Sequence, residues 1–200
     1  MKPKSTSSLE LIKAQTVTLI MLVKLALTGK PKSGKTTAIL KLVDSLLQHG
    51  IKVGGFYTVE VKKNDKRLGF EIVDILTGNR GVLAGVEQES KIRVGKYGVK
   101  VEDLEGIGVR ALEHALENCQ VLIIDEVGPM ELKSELFRKV ARQVLDSDKP
   151  TVFTVHYKSS DELVNEVKRK SNLYELTPDN RDKIVSTLTD ELMNAFDTNC

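Results

Sequence analysis

The sequence predicts an α/β protein with a mainly parallel sheet flanked by helices, and three observations support this fold class. Several segments carry apolar residues at helical spacing, short apolar runs typical of buried strands lie between them, and the two patterns alternate. Alternation of this kind is typical of strand–helix–strand units with parallel strands. The chain has 200 residues, 40% of them apolar, which suffices for one globular domain with its own core.

The first strand is predicted at residues 22–28. An apolar stretch from Val17 to Leu27 also has the outline of a secretory signal, but Lys24 interrupts it and it is too short to cross a bilayer. A buried parallel strand is therefore the favoured interpretation. We expect residues 1–20 to be a mobile extension with a helical stretch around Leu9–Ala14, followed by a single domain over residues 21–200.

The remaining elements follow in order along the chain. A helix over Lys35–His49 presents one apolar face and ends at Gly50. A turn at residues 63–65 joins two β-rich segments, which predicts a β-hairpin inserted in the fold. The other predicted helices are Val101–Asn118, Glu131–Leu145, Asp161–Lys170 and one starting at Thr177-Pro178, and the predicted strands are Lys52–Val61, Leu68–Ile75, Gln120–Ile124, Thr151–Val155 and Leu173–Leu176.

Charge and cysteine content exclude several classes of protein. The chain has 30 Lys and Arg against 28 Asp and Glu, so a formal net charge of +2 gives no sign of nucleic-acid binding. We predict no transmembrane helix and no contact with membranes. Two cysteines, Cys119 and Cys200, cannot form a disulfide framework, which indicates a reducing, cytoplasmic location.

A phosphate-binding loop is predicted between the first strand and the first helix. Its glycines let backbone N–H groups converge on phosphate oxygens, and the following helix points its positive end at the same anion. In this pattern Lys35 reaches the β and γ phosphates and the hydroxyl of Thr36 binds Mg²⁺. The segment G-x-x-x-x-G-K-T comprises Gly29, Lys30, Pro31, Lys32, Ser33, Gly34, Lys35 and Thr36. Lys30 and Lys32 fit solvated loop lysines as well as phosphate ligands.

A second half of the site is predicted at the end of a buried strand. Four apolar residues precede Asp125, which we expect to emerge beside the phosphate loop and to hold Mg²⁺, directly or through water. Glu126, the next residue, is placed to orient or deprotonate a water that attacks the γ-phosphate, and it favours hydrolysis. The strand and the turn that follows it comprise Val121, Leu122, Ile123, Ile124, Asp125, Glu126, Val127 and Gly128.

Four co-linear motifs resemble those of the cancer-related nucleoside-triphosphatases, a family of small P-loop enzymes. The most specific is D-E-V-G-P-M-E-L at residues 125–132, which resembles the family signature D-E-[IV]-G-x-M-E-L. The hairpin (55–61 and 67–70), the loop at 94–99 and the segment L-T-P-D-N-R-D at 176–182 also resemble the family. The resemblance covers residues 22–184.

The resemblance implies a P-loop fold of the RecA-like kind and slow, Mg-dependent hydrolysis of several nucleoside triphosphates to diphosphate and phosphate. It also implies that residues 29–36 and 121–128 are the two nucleotide-binding segments. Two departures stand out. The family usually has glycine where this chain has Lys32, and it starts near the position of Met21, so that residues 1–20 lie outside the resemblance.

Further candidates for the site follow from their positions. Arg93 and Lys96 lie in a glycine-containing loop and can supply a further cation for the γ-phosphoryl group, although a solvated loop fits equally well. Arg181, beside Asn180 at the start of the last helix, can stack on the base or close over the phosphates. Thr154 and His156 end a strand that can neighbour Asp125, where a polar residue senses the γ-phosphate, although a structural role suits His156 as well.

These observations predict a Mg-dependent nucleoside-triphosphatase with ATP, GTP, CTP and UTP as substrates. The guanine-specific sequence N-K-x-D is missing, which favours broad base specificity. Two alternatives remain open: a nucleotide or small-molecule kinase that uses the same phosphate site, and a nucleotide-dependent switch that binds a partner. Lys35, Asp125 and Glu126 carry the predicted chemistry.

Overall fold

The computed structural model describes residues 23–197, and these form a nine-stranded sheet in the order β5-β6-β4-β3-β2-β7-β8-β1-β9. The predicted extension over residues 1–20 lies outside the described residues, so the predicted domain boundary stays a prediction. The strands are β1 (Lys24–Thr28), β2 (Val53–Lys63), β3 (Lys66–Asp74), β4 (Arg80–Gly85), β5 (Arg93–Val94), β6 (Tyr97–Val99), β7 (Val121–Val127), β8 (Thr151–Val155) and β9 (Asn172–Glu175).

Five consecutive strands of the sheet, β2, β7, β8, β1 and β9, are parallel, which confirms the predicted fold class. The predicted hairpin corresponds to β2 and β3, but the antiparallel part is larger, because β4, β6 and β5 continue from β3. The sequence pattern does not reveal these three strands, because they are two to six residues long and carry exposed residues, Arg80, Val82 and Arg93.

Helices cover both faces of the sheet, as expected for parallel strands. They are α1 (Lys35–Gln48), α2 (Val101–Asp103), α3 (Arg110–Asn118), α4 (Glu135–Asp146), α5 (Glu162–Lys170) and α6 (Arg181–Asp197). On one face, α1 and α6 pack on Leu25, Leu27 and Ile123; on the other, α3, α4 and α5 pack on Ala26 and Ile124. The alternation of these strand residues between two cores fixes the register, because successive side chains of a strand point to opposite faces.

Three of the predicted helices differ from the observed ones by more than one residue. The predicted helix Val101–Asn118 is interrupted by a π-helical segment, Leu104–Val109, between α2 and α3. Helix α4 begins at Glu135 rather than at Glu131, because Ser134 caps it by accepting a hydrogen bond from the N–H of Phe137, while Glu131–Lys133 form a 3₁₀ turn.

The last helix, α6, begins at Arg181 rather than at Thr177-Pro178. The side chain of Asn180 accepts a hydrogen bond from the N–H of Thr177 and donates one to the carbonyl of Glu175. These bonds organise the four residues after β9 as a turn, so that the helix starts one turn later than the threonine–proline pattern predicts.

Candidate active site

The loop between β1 and α1 has the backbone conformation of an anion-binding concavity. Lys32 and Gly34 both have positive φ angles, 69° and 94°, and Ser33 between them is buried. Successive N–H groups in such a conformation converge on one point, in front of the N-terminus of α1. Lys30, Pro31 and Lys32 are exposed and line the cavity in front of the loop. The left-handed conformation at Lys32 accounts for the glycine that the resembling family carries there.

The two glycines of the loop are positions of close approach. A Cβ at Gly29 would lie 2.5 Å from the carbonyl oxygen of Leu176 and 2.7 Å from Oγ of Ser33. A Cβ at Gly34 would lie 2.9 Å from Nη1 of Arg181. The loop therefore packs closely against the segment that follows β9. A larger residue at Gly29 would push the loop away from the backbone of Leu176.

Asp125 connects the phosphate loop to the centre of the sheet. Its side chain is buried, and it accepts hydrogen bonds from the hydroxyl of Thr36 at 2.7 Å and from the hydroxyl of Thr154 on the neighbouring strand β8. Burial raises the pKa of Asp125 to about 6, although both hydrogen bonds act in the opposite direction. The Thr36 and Asp125 oxygens form the kind of donor set that Mg²⁺ prefers.

Glu126 lies next to the lysine of the loop. Its carboxylate is 3.4 Å from Nζ of Lys35, and the two side chains are 24% and 13% exposed. Both residues line the same cavity. Strand β7 continues to Val127, which is buried, so Asp125 and Glu126 lie within the strand rather than after it. A carboxylate and an ammonium group thus face one open space, where a water and a terminal phosphate can be placed together.

Glu131 belongs to the site, although the sequence predicts it as the first residue of the helix Glu131–Leu145. Its carboxyl group is buried, and the backbone N–H groups of Gly128 and of Glu131 itself donate hydrogen bonds to it. A Cβ at Gly128 would lie 2.7 Å from Oε1 of Glu126 and 2.9 Å from Oε2 of Glu131. Burial raises the pKa of Glu131 to about 8, and the neighbouring carboxylate of Glu126 adds to the rise. The sequence signal that could have identified Glu131 is its position as an acidic residue between two apolar ones, Met130 and Leu132.

His156 follows the end of β8 and lines the cavity on the side of the phosphate loop. Its Nδ1 atom is buried, and it has no hydrogen-bond partner among residues 23–197. The same holds for Oγ of Ser33 in the loop. Buried polar groups in proteins are nearly always paired, so these two atoms are candidates for contact with a polar ligand. Thr154, by contrast, is engaged with Asp125.

The two predicted arginines have different positions. Arg181 lies against Gly34 of the phosphate loop, while Arg93 donates a hydrogen bond to the carbonyl of Lys96 within its own β5–β6 hairpin. The described residues that line the cavity include Val94 and Gly95 but neither of these two arginines. Lys96 is exposed, with its ammonium group 5.4 Å from the ring of Tyr97. The structure therefore brings Arg181 to the phosphate loop and leaves Arg93 outside the cavity.

This fold and this site define a P-loop nucleoside-triphosphate-binding protein. The chain belongs to the family described as NTPase, whose pattern it matches over residues 24–189. It is 41% identical over 170 residues to nucleoside-triphosphatase THEP1 of Methanocaldococcus jannaschii, covering 85% of this chain and 97% of that protein. With nucleoside-triphosphatase THEP1 of Thermofilum pendens the identity is 44% over 169 residues, covering 83% and 93%.

Solved structures of the family have the same fold. The crystal structure of THEP1 from the hyperthermophile Aquifex aeolicus superposes with a TM-score of 0.76 at 34% identity, covering 85% of this chain and 99% of that one. The solution structure of a human cancer-related nucleoside triphosphatase gives 0.73 at 32% identity, covering 86% and 98%. The predicted family and the enzyme class, a nucleoside-triphosphatase, are thereby confirmed, and the kinase alternative is not favoured.

Helices in the described part of the chain are either too short or too polar to cross a membrane.

Proposed function

We propose that the chain hydrolyses nucleoside 5′-triphosphates to diphosphate and phosphate in a Mg-dependent reaction of broad base specificity. The observation that carries this proposal is the convergence of two segments on one cavity. Thr36 of the phosphate loop contacts Asp125 at 2.7 Å, and Lys35 contacts Glu126 at 3.4 Å. These two pairs supply an oxygen donor set, a cation and a base, and together they join consecutive residues of the phosphate loop and helix to consecutive residues of β7.

The donor set supports a magnesium ion that is shared with the substrate. Residues 23–197 contain no cluster of three or more His, Cys, Asp or Glu side chains that could hold a metal alone. Mg²⁺ usually takes one or two protein oxygens and completes its shell with phosphates and water, which fits Thr36 and Asp125. When bound, the ion neutralises charge on the phosphates. The two threonine hydroxyls hold Asp125 in one orientation for that role.

Glu126 is proposed as the general base. Its carboxylate lies in the cavity beside Lys35, with an exposed fraction of 24%, so a water can reach it. Glu126 takes a proton from this water as the water oxygen bonds to the γ-phosphorus, and the bond from that phosphorus to the bridging oxygen breaks. The diphosphate leaves with the electron pair of the broken bond, and Lys35 offsets the charge that develops on it.

His156 and Ser33 are proposed to contact the phosphates. His156 and Ser33 both line the cavity that Lys35 and Glu126 share, and Nδ1 of His156 and Oγ of Ser33 are buried without a hydrogen-bond partner among residues 23–197. A phosphate oxygen that reaches either atom would satisfy it. His156 follows the strand β8 that carries Thr154, so it adjoins the metal-binding side of the site.

Broad base specificity is proposed because the sequence contains no N-K-x-D motif for guanine. Arg181 packs on Gly34 beside the phosphate loop, and stacking of the base on its guanidinium is proposed as a contact that does not distinguish one base from another. A nucleoside triphosphate is thus the proposed binding partner of the chain. The cytoplasmic location stays a prediction from the cysteine content.

Phosphate release from ATP, GTP, CTP and UTP, each with Mg²⁺ and with EDTA, tests the proposal. We expect slow release from all four with Mg²⁺ and none with EDTA. Lys35→Ala is the control for a contaminating phosphatase and should release none. Release that persists in Lys35→Ala, or that does not need Mg²⁺, would contradict the proposal. Release from one nucleotide alone would contradict only the broad specificity.

A further inference from the structure

The cavity that holds the proposed catalytic groups is larger than one ligand requires. Its volume is about 1170 Å³, whereas a site for a single drug-sized ligand has roughly 300–1,000 Å³. One end is formed by the phosphate loop, residues 29–37. The other end, called here the distal end, is lined by Glu60, Arg67, Phe70, Leu83, Tyr97 and Met130.

The distal end lies on the side of the γ-phosphate. Along the sheet, the phosphate loop follows β1, Glu126 lies in β7, and the distal residues belong mainly to β2, β3, β4 and β6, beyond β7. Glu126 thus stands between the two ends of the cavity. In the proposed function Glu126 faces the terminal phosphate, and the nucleoside is attached to the opposite end of the triphosphate. The substrate's own base therefore extends away from the distal end.

The distal end has the chemical character of a site for a planar ring. Phe70 and Tyr97 are both half-buried and meet edge to face, with their ring centroids 5.5 Å apart. Met130 adds apolar surface, while Leu83 is buried in the core beside it. Glu60 and Arg67, which form an ion pair, place a hydrogen-bond acceptor and several donors beside these rings. The guanidinium carbon of Arg67 lies over the Phe70 ring, 5.3 Å from its centroid. An aromatic surface that adjoins a donor–acceptor pair is suited to a flat molecule with polar ring edges.

We propose that the distal end binds a second small molecule, a planar nitrogen heterocycle of the nucleoside type, together with the nucleotide. Its ring packs against Phe70 and Tyr97, and its polar edge pairs with Glu60 and Arg67. The inference rests on the proposed function for the position of the nucleotide. It differs from that function because the hydrolytic groups, Lys35 and Glu126, need no ligand at the distal end.

The test is saturation-transfer NMR with a mixture of adenosine, guanosine, cytidine and uridine, recorded with the protein saturated with Mg·ADP. Nucleosides lack phosphates, and ADP occupies the nucleotide site, so transfer to a nucleoside, followed at resonances resolved from those of ADP, reports the distal end. We expect transfer to at least one base, reduced at least fivefold in Tyr97→Leu and retained in Tyr97→Phe. Ile92→Ser, an exposed apolar position near the same hairpin, is the matched control and should retain it.

Three outcomes would overturn the inference: no transfer to any of the four nucleosides, transfer that ADP abolishes, or transfer that is equal in Tyr97→Leu and the unmodified protein. Thermal unfolding of each variant shows that it is folded. Failure of the unmodified protein to bind Mg·ADP would instead contradict the proposed function, so the two failures are distinguishable.

Discussion

The hydroxyl of Thr154 donates a hydrogen bond to the carboxylate of Asp125 across the neighbouring strands β8 and β7. The other carboxylate oxygen accepts a hydrogen bond from Thr36 at the start of α1. Each oxygen of a buried carboxylate is thus held by a hydroxyl from a different element. This arrangement fixes the orientation of Asp125 before any ligand binds, which is the preorganisation that a metal-binding carboxylate needs.

Replacing Thr154 with valine tests this orientation. Valine has nearly the same shape but lacks the hydroxyl, so one oxygen of a buried carboxylate loses its donor, which costs about 1–3 kcal/mol of stability. We expect a lower midpoint of denaturation and a higher Mg²⁺ concentration for half-maximal hydrolysis. Thr154→Ser keeps the hydroxyl and should stay close to the unmodified protein. An unchanged Mg²⁺ requirement in Thr154→Val would contradict the role given to Thr154.

Glu131 predicts a pH dependence of stability. Its pKa is about 8 in the folded protein and near 4.5 in an unfolded chain, so the folded state holds an extra proton between these values. Stability should therefore fall as pH rises from about 4.5 to 8, by up to about 1.4 kcal/mol per pH unit. Glu131→Gln removes this titration, and its free energy of unfolding should exceed that of the unmodified protein increasingly toward pH 8.

Urea denaturation at pH 5, 6, 7 and 8 measures this effect. Glu135→Gln is the control, because its side chain is 92% exposed at the start of α4 and should leave the pH dependence unchanged. Parallel pH curves for Glu131→Gln and the unmodified protein would show that Glu131 does not hold the proton.

Replacing Lys32 with glycine is expected to stabilise the protein. Its φ angle of 69° is left-handed, which costs a residue with a side chain about 1 kcal/mol relative to glycine. Lys32→Gly should therefore raise the free energy of unfolding by roughly 0.5–1 kcal/mol. Lys30→Gly, which removes the same charge from a loop position without a positive φ, should not. Equal or opposite effects of the two substitutions in thermal denaturation would show that the loop is not strained at Lys32.

Replacing His156 is expected to lower kcat without changing the affinity for a nucleoside diphosphate. If Nδ1 contacts the γ-phosphate, His156→Ala loses a hydrogen bond to a charged group, worth about 1.5–3 kcal/mol, and kcat should fall roughly 10- to 100-fold. The affinity for ADP, which lacks that phosphate, should stay the same. His114→Ala, on helix α3, is the matched control. An equal loss of ADP affinity in His156→Ala would indicate a structural role instead.

Much of the fold was predictable because it depends on local patterns. The loop from Gly29 to Thr36 and the buried strand ending at Asp125 carry motifs whose residue types follow from phosphate and metal chemistry. Thr36 contacts Asp125 and Lys35 contacts Glu126 because the carboxyl ends of parallel strands lie at the same edge of the sheet. The family resemblance strengthened this prediction with motifs outside the phosphate loop.

Other features depend on tertiary contacts that no local pattern carries. Strands β4 to β6 are too short to show a periodicity, and pairing with β3 stabilises them. Glu131 has helical spacing with its neighbours, but the Ser134 cap places it before the helix, where its burial changes its pKa. Arg93 was a plausible phosphate ligand from its loop, and only the structure shows it bonded to the carbonyl of Lys96.

The central claim is that Glu126 activates the attacking water, and a single-turnover measurement on Glu126→Gln tests it most directly. Glutamine has the shape of glutamate but accepts no proton, so the account predicts nearly unchanged affinity for Mg·ATP and a hydrolysis rate lower by roughly 10²–10⁴. Lys35→Ala, which should lose affinity as well, provides the comparison. Hydrolysis by Glu126→Gln at the rate of the unmodified protein would contradict the account.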